Sequence, residues 1–382
     1  NMPEVAERIL AAGEADMVSM ARPLLADPQW VNKAKAGRPA EINTCIACNQ
    51  ACLDHVFENR EVSCLVNPRA CHETELVVRP AETRRRIAVV GAGPAGLACA
   101  TTLAECGHRV VLFDRAPVIG GQFNLARRIP GKEEFQETLR YFAQRLVATG
   151  VEQRLATEAT AGQLAAEGFD AVVVATGVVP RRPQIPGIDH PSVLSYLDVL
   201  AHDRPVGRRV AIIGAGGIGF DVAEFLVQPH PSPSTDVARW SREWGVDMMH
   251  ATPGALAKPA PEPPARELWL LQRSAGKPGD RLNKTSGWVH RATLKHKGVT
   301  MLAGVSYERI DDAGLHIRIG EEPRLIEIDN VVICAGQEPD RRLAEALAST
   351  NLPVHLIGGA DVAAELDAKR AIAQGTRLGL QF

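Results

Sequence analysis

Four of the eight cysteines in this 382-residue chain fall as Cys45-x2-Cys48-x3-Cys52-x11-Cys64. A thiolate is both a nucleophile and a soft metal ligand, and four at this spacing can converge on one centre. The short spacings set three sulfurs on one tight loop, and the fourth closes the cage. A structural Zn²⁺ and a [4Fe–4S] cluster are the competing occupants. Zinc sites pair one C-x2-C with a second or with a histidine pair, whereas the asymmetric three-plus-one arrangement is commoner in cubane clusters. Cys71 lies outside the pattern and reads as an ordinary thiol. Cys99 and Cys106, seven residues apart, lack the close spacing of a redox pair and read as small core residues, as does Cys334.

A different chemistry follows in IAVVGAGPAGLACATTLAECGHRVVLFD, residues Ile87 to Asp114. A short apolar strand leads into Gly91-Ala92-Gly93-Pro94-Ala95-Gly96, then an Ala/Leu-rich helix and a second strand, Arg109 to Phe113, ending at Asp114. This is a dinucleotide-binding fingerprint in its required context. Gly91 permits the tight turn, Gly93 lets backbone approach a pyrophosphate, and Gly96 lets helix and strand pack closely. The helix N-terminus offers free N–H groups to phosphate, and Asp114 can accept hydrogen bonds from ribose hydroxyls. Downstream, Gly120-Gly121-Gln122 is a tight turn able to touch a flavin's ribityl or phosphate region. Phe169 to Ala175 reads as a buried strand ending at Thr176-Gly177, where glycine again permits close contact.

A second fingerprint, VAIIGAGGIGFDVAEFLV, starts at Val210 and carries Gly214-Ala215-Gly216-Gly217-Ile218-Gly219. Its partner strand is Glu267 to Leu271, followed by Gln272-Arg273. An acid there would favour NAD; an arginine favours the additional 2′-phosphate of NADP, with Lys277 as a further cation. Two such units argue for two nucleotides and hydride transfer between them. Ile326 to Ala335 reads as one buried strand. His355-Leu356-Ile357-Gly358-Gly359-Ala360-Asp361 precedes a helix from Val362 to Gln374, and Asp361 can bond a ribityl hydroxyl. The whole reads as an FAD domain interrupted by an inserted NADP domain.

The remaining elements frame these sites. Pro3 to Ala12 reads as a helix and Ala15 to Met20 as a short strand, together the edge of another domain. Phe135 to Ala148 is an amphipathic helix. A Pro-rich stretch, Pro229 to Pro264, reads as surface loop in which Trp240 and Trp244 pack locally. A net charge of −2 provides no electrostatic footprint for nucleic acid or a membrane surface. No apolar stretch is long enough to span a bilayer and no signal-peptide pattern opens the sequence. Clustered cysteines in a chain of this composition suit a cytoplasmic protein.

Several longer runs carry a family likeness: ADMVSMARPLLADP, CIACNQACLD with CLVNPRA, GGQFNLARRIPGKEEF, SYLDVL, LLQR, KTSGWVHR, ICAGQEP and HLIGGADVAAELDAKRAIAQGTRLGL. Over essentially its whole length the chain resembles the C-terminal part of the bacterial-type NADPH-dependent 2,4-dienoyl-CoA reductases. These belong to the old-yellow-enzyme-like flavin oxidoreductases. The resemblance implies an electron relay from NADPH through FAD and a [4Fe–4S] cluster to FMN, which reduces a 2,4-dienoyl-CoA in fatty-acid β-oxidation. It implies Cys45, Cys48, Cys52 and Cys64 as cluster ligands, and Gln50, Asp114, Gln122 and Ala159 as FAD contacts. Gln272 and Arg273 become NADP contacts, and Ala21 and Arg22 FMN-phosphate contacts.

The resulting fold class is α/β. Residues 1–40 would be a remnant of a (β/α)8 barrel, 41–85 the iron–sulfur segment, 86–180 and 337–382 the two parts of the FAD domain, and 181–336 the NADP domain. The family's barrel, with its acyl-CoA site and proton donor, has no counterpart here, so no catalytic residue is named. Amine dehydrogenases of the same group do not use NADP, and the intact second fingerprint argues against them. Another enoate reductase, or a freestanding electron-transfer module serving a separate FMN protein, are the other readings.

Overall fold

The computed structural model describes residues 1–363 and 367–382, and among these residues the chain forms two compact units. The first comprises residues 1–124, 134–179 and 337–382; the second comprises 125–133 and 180–336.

The first unit is built on a parallel sheet ordered Val354–Leu356, Ala171–Val174, Arg86–Val90, Arg109–Phe113, Glu152–Arg154. The central strands are β-branched and buried on both faces, the pattern of a parallel sheet covered by helices. Helix Pro94–Glu105 follows the first strand and has a buried face of small residues, Ala95 to Thr102. Helix Ala368–Gly379 lies against it at close range. A methyl on Gly375 would sit 2.2 Å from the Ala95 carbonyl oxygen, and one on Gly379 2.8 Å from Thr102 Cβ. Phe135–Ala148 forms the helix expected there.

The second unit repeats the plan, with parallel strands ordered Val193–Ser195, Asn330–Ile333, Arg209–Ile213, Glu267–Leu271, Thr300–Leu302. An antiparallel meander, Val305–Asp311, Gly314–Ile319 and Glu322–Ile326, adds a separate layer. No helix among the described residues is long and apolar enough to cross a membrane.

Some sequence expectations change. Ala15 to Met20 is irregular chain, because it has no ladder partner among the described residues, and Met17 is 78% exposed. The expected strand Ile326 to Ala335 breaks into Glu322–Ile326 and Asn330–Ile333. Asp329 causes the break by accepting the backbone N–H groups of Arg208 and Arg209, each at 2.8 Å. The Pro-rich stretch is more ordered than a surface loop: Asp236 caps a helix, Val237–Trp244. Its Trp240 and Trp244 do pack locally, with ring centroids 6.5 Å apart. The helix expected from Val362 begins at Ala368, capped by Asp367; residues 364–366 of that expectation lie outside the described residues.

Candidate functional site

Cys45, Cys48, Cys52 and Cys64 line one cavity, together with Arg22, Asn49 and the apolar Leu25, Ile46 and Leu65. The loop bearing the first three is irregular, and Ala47 (φ 54°) and Asn49 (φ 61°) sit on either side of Cys48 in the left-handed region. That conformation costs a residue with a Cβ of order 1–3 kcal/mol and clusters where a loop must hold a ligand. In this loop the Gln50 N–H donates to Cys48, and on the segment after Cys64 the Val66 and Asn67 N–H groups donate to Cys64. Burial nonetheless pushes the Cys48 thiol up to about 12 and Cys64 up to about 11, with the neighbouring cysteines adding to the rise. Both sulfurs are therefore held as thiols until a cation stabilises the thiolate. Arg22 donates to Asn49 Oδ1 at 2.9 Å. The residue expected at an FMN phosphate thus reaches the cysteine loop, while Ala21 starts the short helix Arg22–Ala26.

Among the described residues, no three His, Cys, Asp or Glu side chains meet closely enough to hold a single ion. Mononuclear zinc requires all its sulfurs about 2.3 Å from one point. A cubane takes its cysteines at separate iron corners. Four thiols lining one cavity, two of them served by backbone N–H donors, fit a thiolate-ligated metal centre in donor type.

The first fingerprint has the geometry its glycines require. Gly91 (φ 113°) donates its N–H to Phe113 O at 2.8 Å, and a methyl on it would lie 2.2 Å from Ala175 O. A methyl on Gly96 would lie 1.8 Å from Gly91 O. Gly93 is the N-cap of helix Pro94–Glu105, in whose first turn Ala95 lies, and nothing stands within 4 Å of where its Cβ would be. Asp114 braces this loop: Oδ2 accepts the Ala92 N–H at 2.6 Å and Oδ1 accepts the Ala116 N–H at 2.8 Å. The Gly120–Gly121 turn comes to the same place, with Gly120 N–H donating to Ala92 O at 2.7 Å and Gly121 close to Gly93 Cα. Gln122 follows this turn, and Ala159 is buried on a segment whose Thr157 N–H bonds Asp114 O. Gly177 (φ 78°) packs beneath Gly359. Asp361 Oδ2 accepts from Gln374 Nε2 at 2.7 Å. Gln374, which the sequence marks only as a helix end, also accepts the Gly358 N–H at 2.8 Å and so pins this loop to the last helix. Its only signal was its place in a helix following the Gly-rich loop.

The second fingerprint reproduces these contacts. Gly214 (φ 114°) donates to Leu271 O at 2.8 Å; its methyl would meet Cys334 O at 2.3 Å, and one on Gly219 would meet Gly214 O at 1.8 Å. Gly216 caps helix Gly217–Val227, in which Gly217 and Ile218 form the first turn. Since Phe113 and Leu271 play the same part, Gln272 stands where Asp114 stands in the first unit. Its amide bonds the carbonyls of Ser274 (3.1 Å) and Gly276, folding the loop that carries Arg273 and Lys277. Arg273 and Lys277 are exposed, and neither makes an ion pair with a described residue. Sequence reading missed Lys132, whose Nζ lies 2.5 Å from Asp221 Oδ1 in the fingerprint helix. It also missed the buried pair Lys297–Glu243 at 2.6 Å. Neither has a periodic or motif signature.

Residues 85–367 match the pyridine nucleotide-disulphide oxidoreductase family, and residues 1–41 match the NADH:flavin oxidoreductase / NADH oxidase family. This chain belongs to the pyridine nucleotide-disulphide oxidoreductase family. Both families imply flavin and NAD(P)H use. A metal reductase of Desulforamulus reducens is 33% identical over 371 residues, 94% of this chain and 53% of that protein. A bilirubin reductase of Mediterraneibacter gnavus is 30% identical over 373 residues, 98% and 52% respectively. A cinnamate reductase of Clostridium sporogenes is 32% identical over 231 residues, 59% and 34%. The solved complex of 2-naphthoyl-CoA reductase with 2-naphthoyl-CoA superposes with a TM-score of 0.86 at 31% identity, covering all of this chain and 53% of that one. The chain spans about half the length of the curated relatives it matches. In this pyridine nucleotide-disulphide oxidoreductase Cys99 and Cys106 are buried thiols, so the redox pair the family name suggests is not formed by them.

Proposed function

We propose that this chain is the electron-input half of an NADPH-dependent, flavin- and iron–sulfur-containing reductase of conjugated acyl-CoA double bonds, 2,4-dienoyl-CoA above all, working in the cytoplasm. The observation that carries the reading is the pairing of two fingerprints of one geometry but different chemistry, with four thiols lining a cavity in the first unit. The first fingerprint, with Asp114, Gly121, Gln122, Ala159, Gly177, Gly359 and Asp361, would hold FAD; the second, with Gln272, Arg273 and Lys277, would hold NADPH. Cys45, Cys48, Cys52 and Cys64 would hold a [4Fe–4S] cluster, with Gln50 N–H bonded to Cys48. Ala21 and Arg22 would contribute to the edge of an FMN site. When bound, the flavin accepts a hydride and the cluster passes electrons singly.

The chain's own residues bind and orient these groups. Gly91 and Gly214 make the tight turns, Gly93 and Gly216 leave room for phosphate against backbone, and the two helix N-termini supply donors to it. Asp114 offers lone pairs to a ribose, whereas Gln272 cannot repel a 2′-phosphate and Arg273 attracts one. The acyl specificity is supported by the long runs shared with dienoyl-CoA reductases. Relatives named for conjugated acyl groups, 2-naphthoyl-CoA and cinnamate, support the broader class.

An anaerobic NADPH titration of the purified chain tests this, with flavin bleaching, iron and acid-labile sulfide content and the reduced-cluster EPR signal as readouts and NADH as the control. Addition of 2,4-dienoyl-CoA, with and without FMN, follows. Reduction by NADPH with no turnover of the dienoyl-CoA is expected. Turnover by this chain alone would refute the assignment to the electron-input half, and absence of iron and sulfide would refute the cluster.

A further inference from the structure

We propose that the hydroxyl of Tyr307 is a further recognition group for the 2′-phosphate of NADP at the second fingerprint, acting beside Arg273; this rests on the NADP reading above. Tyr307 lies on strand Val305–Asp311 of the antiparallel meander, within the second unit. Its ring packs against the apolar cluster that contains Leu271, Val305, Ile310 and Ile317. Its hydroxyl oxygen is buried and has no hydrogen-bond partner among the described residues. A buried polar atom in that state has lost water without replacement, whereas phenylalanine would fill nearly the same space with no such cost.

The course of the strand gives that hydroxyl a reason. Three backbone hydrogen bonds, each 3.0 Å long, stitch the strand's entry to the loop that follows Leu271: Gln272 N–H to Leu302 O, Gly304 N–H to Ser274 O and Val305 N–H to Gln272 O. Tyr307 comes two residues after Val305, so both side chains stand on one face of the strand. The register against Gly314–Ile319 then slips between Tyr307 and Arg309, and Ile310 rather than Arg309 returns to the buried side. Bulges of this kind are over-represented next to active sites, where they re-aim a side chain.

The charge around the phenol points the same way. Burial pushes the Tyr307 phenol above its ordinary range, and the Arg273 guanidinium is near enough to oppose that rise. Arg273 is exposed and makes no ion pair with a described residue, so its guanidinium can turn to admit an anionic oxygen to the phenol. An O–H donor beside a guanidinium suits a phosphate, and a charge-assisted bond is about twice as strong as a neutral one. The other buried side chains of the second unit that lack a partner among the described residues are Gln228, Ser241 and Glu243. These lie on or directly after helices Gly217–Val227 and Val237–Trp244, and not on the strand joined to this loop.

Calorimetric titration of the chain, saturated with FAD to fill the first fingerprint, with adenosine 2′,5′-bisphosphate and with 5′-AMP tests the assignment. The unaltered chain is expected to bind the bisphosphate more tightly than 5′-AMP. Tyr307→Phe should weaken the bisphosphate roughly tenfold, the loss of one charge-assisted hydrogen bond, and leave 5′-AMP unchanged. Without nucleotide, the variant should melt at or above the temperature of the unaltered chain, because the hydroxyl removed had no partner. An undiminished preference for the bisphosphate in Tyr307→Phe, an equal weakening of both ligands, or a lower melting temperature without nucleotide each overturns the role of Tyr307 alone. No preference for the bisphosphate in the unaltered chain overturns the NADP reading and this inference with it.

Discussion

Gly375 sets two expectations against each other. Replacing a mid-helix glycine with alanine stabilises a helix by about 1 kcal/mol, because glycine has more backbone freedom to lose. In helix Ala368–Gly379, however, the new methyl would sit 2.2 Å from Ala95 O, 3.0 Å from Cys99 N and 3.1 Å from Ala95 C. These are backbone atoms of helix Pro94–Glu105, which cannot rotate aside as a side chain would. The helices must separate, opening the contact that Gly379 and Thr102 share one turn further on. Overpacking costs roughly 1–3 kcal/mol, and rigid backbone neighbours put this case at the upper end, about 2–3, leaving a net loss of about 1–2 kcal/mol after the propensity gain. With a urea m-value of about 2 kcal/mol/M, the midpoint falls by about 0.5–1 M. Gly162 provides the control, since it lies in helix Ala161–Ala166 of the same unit with nothing within 4 Å of a Cβ. Gly162→Ala should raise the midpoint slightly. Urea titration followed by circular dichroism, resolving the first unit's transition, measures both. If Gly375→Ala unfolds at the same or higher urea than the parent chain, the close helix contact is wrong.

Arg273→Ala should weaken NADPH binding by about 10–100-fold, the loss of one or two charge-assisted hydrogen bonds, and leave NADH nearly unchanged. Calorimetric titration with both nucleotides decides it, an equal loss for both being the adverse result. Lys297→Met strands the buried Glu243 carboxylate, whose side chain is 4% exposed, and should destabilise the second unit by about 3–5 kcal/mol. The double variant Lys297→Met/Glu243→Met should regain most of that in thermal melts; no recovery would mean that packing rather than charge is at stake. Burial holds His108 and His355 below the usual histidine range, and their rings flank Phe382 at 6.1 and 5.0 Å. The unfolded chain takes up those protons first, so their contribution is complete above roughly pH 6.5 and is lost as pH falls below it. Urea midpoints at pH 7.5 and 5.5 should differ in that direction, and His108→Gln should shrink the difference.

Much of the fold was legible because both fingerprints couple sequence to geometry through sterics. Gly91, Gly96, Gly214 and Gly219 each stand where a methyl would lie within 2.3 Å of a backbone oxygen, so no other residue fits and the pattern can be read without coordinates. The cysteine spacing likewise brought its four sulfurs to one cavity. Illegible features depended on partners distant in sequence. Ala15 to Met20 reads as a short strand but finds no ladder among the described residues, and Asp329 interrupts the expected strand by capturing N–H groups more than a hundred residues away. The pair Lys132–Asp221 spans 89 residues and joins two ordinary charges that no local rule would single out.

The two fingerprints share one backbone plan and differ in the side chain that follows the second strand. Their backbones make matching contacts, so both are equally able to seat a pyrophosphate against a helix N-terminus. What distinguishes them is the residue after the second strand. Asp114 is anionic and braced by two backbone N–H groups, which hold its carboxylate at the mouth of the loop with lone pairs to spare. Gln272 is neutral, and spends its amide on Ser274 and Gly276, which sets the loop bearing Arg273 and Lys277. An anionic 2′-phosphate would meet repulsion at the first site and attraction at the second. On the proposed reading, one backbone plan would serve two nucleotides, told apart by one acidic residue present at the first site and missing at the second. Placing a negative charge at the second site, with Gln272→Glu, should shift its preference from NADPH toward NADH, whereas a preference unchanged by that substitution would place the discrimination elsewhere in the loop.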